Sequence, residues 1–362
     1  MLGVSGSAGQ LKRGLALAGA AALLFGMTAP LLKRASDGTG VFVAGGLVYL
    51  GAALAAGVLA WARRSQGAWI PRGARPRLAL VAVLGAVVAP ALLVAGLRRT
   101  DGATASLLLA LEAPFTIVLA RLLLREFVGA RVAIAAAAIT AGAAVLVGTS
   151  ASGDPAVTPA GVLLVAAASL AWSLDNLLSR SLADLEPLQV VAFKGLLGAL
   201  LSGAVALVAG GSLPAPGDAL ALLALGAFGY GVSLQLYLRA QHLVGAARTA
   251  SIFATAPFAG VGVAFLLGTP HLSVGFPVAA VLIAAGVLLH LSERHAHRHR
   301  HDALAHEHLH RHDDGHHQHV HHPMPPGPHS HVHSHQALEH SHPHSEDVHH
   351  RHAHDGEMTG KG

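Results

Sequence analysis

Two sets of residues in this chain have the types and spacing to do chemistry. The first is a His-x-His alternation that begins at His295 and runs on through HPHSEDVHHRHAH, His342–His354. Neutral imidazole is a ligand for Zn, Ni, Cu and Co, and Asp or Glu can complete a shell. The alternation supplies His295, His297, His299 and His301, then His306, His308 and His310. It continues with His329, His331, His333 and His335, and ends with His342, His344, His349, His350, His352 and His354. Divalent Zn, Ni or Co bound by this tail, weakly and in several copies, is expected; no cofactor is required. The use of such binding stays open. It could deliver metal to a pore, sense metal and gate transport, or buffer protons with imidazoles that titrate at about pH 6.5. A tail that tolerates sequence drift is the bland alternative.

The second set consists of a few polar residues embedded in apolar runs. Glu112 lies midway along one run, in LEAPF; Asp175 and Asn176 lie late in AWSLDNLLSR; Lys194 sits inside the next run, and Gln235, with Tyr237 nearby, lies late in another. A charged Asp or Lys at a helix centre in a membrane costs about 2.5 to 3.5 kcal/mol, so each is a candidate for transport or coupling. In one reading Glu112 couples protons or cations, with Asp175 and Asn176 as cavity or gate residues. In the other, Glu112 with Lys194, or Asp175 with Lys194, makes a structural ion pair between helices. Pro30, Pro114 and Pro257 also fall inside apolar runs, where each removes a backbone donor and breaks the helix. Pro90 reads as a plain kink.

The elements that must position these residues follow from composition. The 362 residues have a mean hydropathy of +0.54 and only 12% charged residues, against about 25% in a soluble domain. Up to about residue 291 the chain is Ala, Leu, Val and Gly; beyond it lie 24 of the 27 histidines. There is no cysteine, which removes disulfides and thiolate ligands. The sequence pI near 10.1 does not indicate nucleic acid, because Lys and Arg are thinly spread between apolar stretches.

A bilayer core takes about 20 apolar residues per helix. Ten such stretches run near 15–32, 41–62, 78–97, 103–124, 132–148, 160–178, 188–209, 218–238, 247–267 and 274–291. With the N-terminus in the cytoplasm, twelve basic residues fall in cytoplasmic segments and four, Lys33, Arg34, Arg98 and Arg99, on the opposite face. The positive-inside rule therefore expects both termini in the cytoplasm. The first apolar run imitates a signal peptide, but no cleavage site is evident, and it reads as a retained helix.

The chain repeats itself. AAALLFGMTAPLLKR (20–34) aligns with AAASLAWSLDNLLSR (166–180), and TASLLLALEAPF (104–115) with the shorter TASIFATAPF (249–258). The offsets nearly agree, so the unit is five helices. Five is odd, which inverts the second copy in the membrane, an arrangement of secondary transporters. Pro114 and Pro257 occupy corresponding places in the two copies.

At these residues the chain resembles the drug/metabolite transporter superfamily, specifically transporters with two EamA-type domains. ASLLLALEAPFTIVLARLLLREF is similar to the family's fourth-helix Leu-Glu-x-x-Phe segment closing on Arg-Glu. AWSLDNLLSR resembles the sixth-helix Trp-x-x-Asp-Asn motif of one bacterial branch, and LGAFGYGVSLQLYLRAQHLVGAARTASIFATAPF its eighth and ninth helices. That branch often carries a His-rich tail. The resemblance implies a ten-helix transporter in the bacterial inner (plasma) membrane, moving a small solute outward.

The expected architecture is an all-α integral membrane protein of ten transmembrane helices in two inverted five-helix repeats. Residues 1–13 form a cytoplasmic N-terminus, 14–149 the first EamA-type repeat, 150–291 the second, and 292–362 a disordered His-rich cytoplasmic tail. No phosphate-binding GxxxxGK[ST] loop, HExxH or Ser-His-Asp signature supports an enzyme or an ATP-driven pump. The expected function is proton-coupled secondary transport, as export, of a small metabolite or drug-like solute. A divalent-metal exporter fed by the tail, and a metal-responsive membrane sensor or buffer without transport, are the alternatives. Expected partners are the solute, the lipid bilayer and divalent metal ions at the tail, with no nucleic acid. A homodimer is compatible with the sequence, which does not set oligomeric state.

Overall fold

A computed structural model describes residues 4–62, 70–124, 128–150, 157–182, 185–268 and 273–291, and within the tail 296–301, 304–310, 329–335 and 338–343. Residues Met1–Glu293 form one compact unit and Arg294–Gly362 a second.

The first unit is helical throughout its described elements. Its runs of Ala, Leu, Val and Gly carry few groups able to satisfy a backbone amide in hydrocarbon, so the backbone must satisfy itself, and a helix does this within one segment. Among the described residues, nine helices are long and apolar enough to cross a membrane: Gly9–Ala35 (span 1), Val41–Ala62 (span 2), Arg75–Leu97 (span 3), Gly102–Leu124 (span 4), Ala130–Thr149 (span 5), Pro159–Ser179 (span 6), Pro187–Ala209 (span 7), Pro216–Val244 (span 8) and Arg248–Leu266 (span 9). Span 10, Phe276–His290, is shorter. At 1.5 Å per residue it extends about 22 Å, less than the roughly 30 Å of a hydrocarbon core. It packs along span 5, where a Cβ on Gly142 would come within 2.7 Å of Ile283 and one on Gly286 within 2.7 Å of Ile139.

Polar residues mark where spans begin. Asp101 accepts from the amides of Ala103 (2.8 Å) and Thr104 (3.0 Å) to cap span 4. Thr158 caps span 6 by accepting from Gly161 N at 3.2 Å, and Glu186 caps span 7 by accepting from Gln189 N at 2.9 Å. Each satisfies an orphan donor of a first turn. Gly210, in the left-handed region at φ 67°, ends span 7.

The packing has a two-fold pattern that exchanges span n with span n+5. Spans 2 and 7, 4 and 9, and 5 and 10 pack against their own counterparts. Span 1 packs on span 8 and span 6 on span 3; span 4 meets span 6 and span 9 meets span 1. The two five-helix repeats are therefore swapped across the whole molecule rather than side by side. Small residues permit the approach. A Cβ on Gly226 would overlap the Val48 carbonyl, and one on Gly51 the Leu223 carbonyl, so spans 2 and 8 meet backbone to backbone.

The described tail residues are extended. β1 (Ala296–His301) pairs antiparallel with β4 (Leu338–Pro343), and β2 (Leu304–His310) with β3 (His329–His335). Along these short segments the histidines alternate with the period of two of extended chain.

Candidate functional site

Helix irregularities make room at the centre of the first unit. Span 4 runs as α-helix to Leu108, tightens to a 3₁₀ turn over Leu109–Leu111 and resumes at Glu112. Span 9 stops at Phe253 and resumes as Ala256–Leu266. Pro114 and Pro257 each lie in the first turn of the resumed helix, where a missing N–H costs least. Pro30 sits in the helix Thr28–Ala35 after a turn at Met27, and is buried against Gly102 rather than at the cavity. Spans 3 and 8, related by the two-fold, each contain a π-helical stretch, Leu84–Val88 and Gly226–Val232.

A π turn loosens the backbone ladder and turns carbonyls toward other donors. Gly85 O illustrates this. It accepts from the Tyr49 hydroxyl and from Trp172 Nε1 at 3.0 Å, and Trp172 Nε1 is also 3.2 Å from the Tyr49 oxygen. A side chain at position 85 would fall on the Asp175 carboxylate and close to Lys194 Nζ.

These features enclose a cavity of about 430 Å³ with two unlike walls. One is aromatic and comes from spans 1, 2, 8 and 9. Five rings form a continuous series: Tyr49 to Tyr230 (5.6 Å between centroids), Tyr230 to Phe25 (5.7 Å), Phe25 to Phe253 (5.2 Å) and Phe253 to Tyr237 (5.0 Å). The other wall is ionic and comes from spans 4, 6 and 7: Glu112, Asp175, Asn176 and Lys194, beside Trp172. Lys194 donates to Asp175 Oδ2 in an ion pair whose side chains are 17% and 3% exposed. Asp175 Oδ1 is buried without a hydrogen-bond partner, while the Ser179 hydroxyl one turn on lies near the same carboxylate. Glu112 does not pair with lysine; its Oε1 accepts from Asn176 Nδ2 at 2.5 Å. Ser173 Oγ fastens span 6 to span 4 by donating to the Glu112 carbonyl at 2.9 Å.

Of the residues singled out in sequence, Glu112, Asp175, Asn176 and Lys194 line one cavity, although they come from three spans. Gln235 does not line it. It is buried on span 8 with its Oε1 unpartnered. Of the five rings in the aromatic wall, Tyr237 alone is among the residues that stand out in the sequence. One signal was present: the chain has three tyrosines, and all three, Tyr49, Tyr230 and Tyr237, face this cavity.

The tail histidines are described by backbone register only. His306 lies opposite His333, His308 opposite His331, and His310 opposite His329. His297 lies opposite His342, and His299 opposite His340. His301 ends β1 opposite Leu338, and His335 ends β3 opposite Leu304. His295, His344, His349, His350, His352 and His354 lie outside the described residues. Among the described residues, no group of three or more His, Cys, Asp or Glu is arranged to hold a metal ion.

The face bearing the turns between spans 1 and 2, 3 and 4, and 7 and 8 is laced shut. Lys33 Nζ donates to Leu97 O (2.6 Å) and Thr100 O (2.9 Å), and Arg98 reciprocates by donating to Thr39 O. Gly40 N donates to Ser212 O at 2.9 Å, and Ser212 Oγ to Gly38 O at 2.7 Å. Cavity residues Asp175, Lys194, Tyr237 and Phe253 instead lie toward the opposite ends of their spans.

Such a bundle, with a solute-sized cavity between two interleaved inverted repeats, defines a multi-pass membrane protein of transporter type. Residues 12–148 and 159–292 each match the EamA-like transporter family, and the chain belongs to that family. It is similar to an uncharacterized transporter of Methanothermobacter thermautotrophicus, with 29% identity over 219 residues, covering 59% of this chain and 63% of that one. The chain thus matches less than two thirds of that relative's length. It also resembles a protein crystal structure at a TM-score of 0.56 and 21% identity, over 76% of this chain and 96% of the other, a likeness of fold.

Proposed function

We propose that this protein is a secondary transporter that exports a small organic solute, coupled to protons through Glu112. The observation that carries the reading is the position of Glu112, a carboxylate with no ion pair among the described residues, on the wall of the cavity at a helix break. A buried carboxylate that exchanges a proton as the cavity faces alternate sides couples the two movements. The closed far face and the span ends to which the cavity reaches suit a state open to one compartment. With both termini in the cytoplasm of a bacterial inner membrane, as the distribution of basic residues favours, that compartment is the cytoplasm.

The His-rich tail is then an accessory that captures Zn, Ni or Co in the cytoplasm. A divalent-metal pore is the weaker reading, because the cavity wall offers two carboxylates, one already paired, and neither His nor Cys. The test is pH-driven flux in everted vesicles. Glu112→Gln is expected to abolish it at unchanged protein level, and full activity in that variant refutes the coupling role. Deleting residues 295–362 is expected to leave solute flux intact; loss of all flux would return the tail to the centre of the function.

A further inference from the structure

We infer that the cavity is built for a compact organic cation, an ammonium or guanidinium group carrying a small apolar body; this rests on the transporter reading of the same cavity. The inference comes from how the two-fold is broken. Glu112 corresponds to Thr255 at the 143-residue offset, and Asp175 to Ala29 at the 146-residue offset. The carboxylates therefore have no charged counterpart across the two-fold, and neither Thr255 nor Ala29 lines the cavity. Opposite the carboxylates stand the five contiguous rings.

Charge bookkeeping inside the cavity selects the sign of the ligand. Lys194, the one cation among the described residues lining the cavity, is held by Asp175, which leaves none for an anionic solute. Among the described residues the neutral amide of Asn176 donates to the Glu112 carboxylate, and a carboxylate removed from water is costly until a positive group meets it. Ring faces attract ammonium and guanidinium groups through the ring quadrupole, most strongly when water is excluded. A hydrated metal ion gains little from rings and takes six or more oxygen ligands if it is hard. An organic cation uses both walls at once: its charge toward Glu112, its alkyl or aryl surface on Tyr230 and Phe25. The volume of about 430 Å³ sits at the small end of ligand pockets and limits the body accordingly.

The test uses the full-length chain in lipid nanodiscs and equilibrium calorimetry with three matched probes. These are choline, its uncharged isostere 3,3-dimethylbutan-1-ol, and the anion 3,3-dimethylbutanoate. Choline is expected to bind about tenfold or more tighter than the alcohol, and the anion weakest of the three. Glu112→Gln and Tyr230→Leu are each expected to weaken choline about tenfold while leaving the alcohol within about twofold. Should Tyr230→Leu fail to fold, Phe253→Leu tests the same ring series. Equal or tighter binding of the alcohol or the anion overturns the inference, as does undiminished choline affinity in Glu112→Gln, or no choline binding at all. The transporter reading is judged separately by flux. Selective choline binding without movement across liposomes would sink transport and keep the cation site. Proton-driven flux of neutral or anionic solutes alone would do the reverse.

Discussion

The Asp175–Lys194 pair gives a prediction whose size and asymmetry follow from its surroundings. Replacing Lys194 with methionine keeps the side-chain length and removes the charge, leaving the Asp175 carboxyl at 3% exposure without its cation. Orphaning one member of a buried pair costs about 3–5 kcal/mol. The opposite change, Asp175→Leu, preserves the branched shape and leaves Lys194 unpaired. That lysine is 17% exposed and lies in the first third of span 7, so its flexible stem can carry the ammonium toward water. Its loss is smaller, about 1–3 kcal/mol. The double variant removes both charges from a low-dielectric site and regains nearly all the stability, or exceeds the starting protein by about 1–4 kcal/mol. The interaction term is therefore large and its sign is fixed. The assay is thermal survival of the folded monodisperse protein, heated in detergent and read by size exclusion. The expected order is Lys194→Met lowest, Asp175→Leu intermediate, and the double variant level with the parent. Additive losses, with the double variant below both singles, would refute the assignment of a stability-determining ion pair.

Further outcomes follow from single contacts. Tyr49→Phe removes one of two donors to Gly85 O while Trp172 Nε1 stays, so the cost is about 0.5–1.5 kcal/mol and the variant folds; a severe folding defect would contradict this. Gly85→Ala is far worse than any alanine placed on a lipid-facing position, because its methyl overlaps the Asp175 carboxylate, and should lower expression of folded protein sharply. Lys33→Met unlatches the far face by removing hydrogen bonds worth about 1.5–3 kcal/mol. In this cysteine-free chain, a Thr39→Cys probe at a fully buried position should then react with a membrane-impermeant maleimide about tenfold faster or more, and an unchanged rate would dismiss the clasp. Zinc retention by the tail should weaken as pH falls below about 6.5, where imidazoles protonate and stop ligating; calorimetry on the full chain and on a 295–362 deletion reads this directly.

What the sequence determined was set by local composition and by repetition. Apolar runs of the length of a bilayer core, a charge deficit, and paired segments such as 20–34 with 166–180 dictate membrane helices in two inverted copies, because hydrocarbon leaves the backbone no other arrangement. The break prolines were equally local, since a missing N–H is a property of one residue. The membrane price of a charge marked Glu112, Asp175 and Lys194 as worth attention. Which of them pair was not legible: both carboxylates were equivalent partners for Lys194 in one dimension. The fold brought Asp175 under Gly85 and beside Lys194, and left Glu112 to Asn176. The aromatic wall was invisible for the same reason, as Tyr49, Phe25, Tyr230 and Phe253 are scattered over four helices and each alone reads as an ordinary apolar residue. Gln235 shows the converse, a polar residue that sequence promoted and packing turned away from the cavity. Only the interleaving of the repeats decides these matters, because a site at a pseudo-two-fold axis is assembled from both copies and belongs to neither stretch of chain.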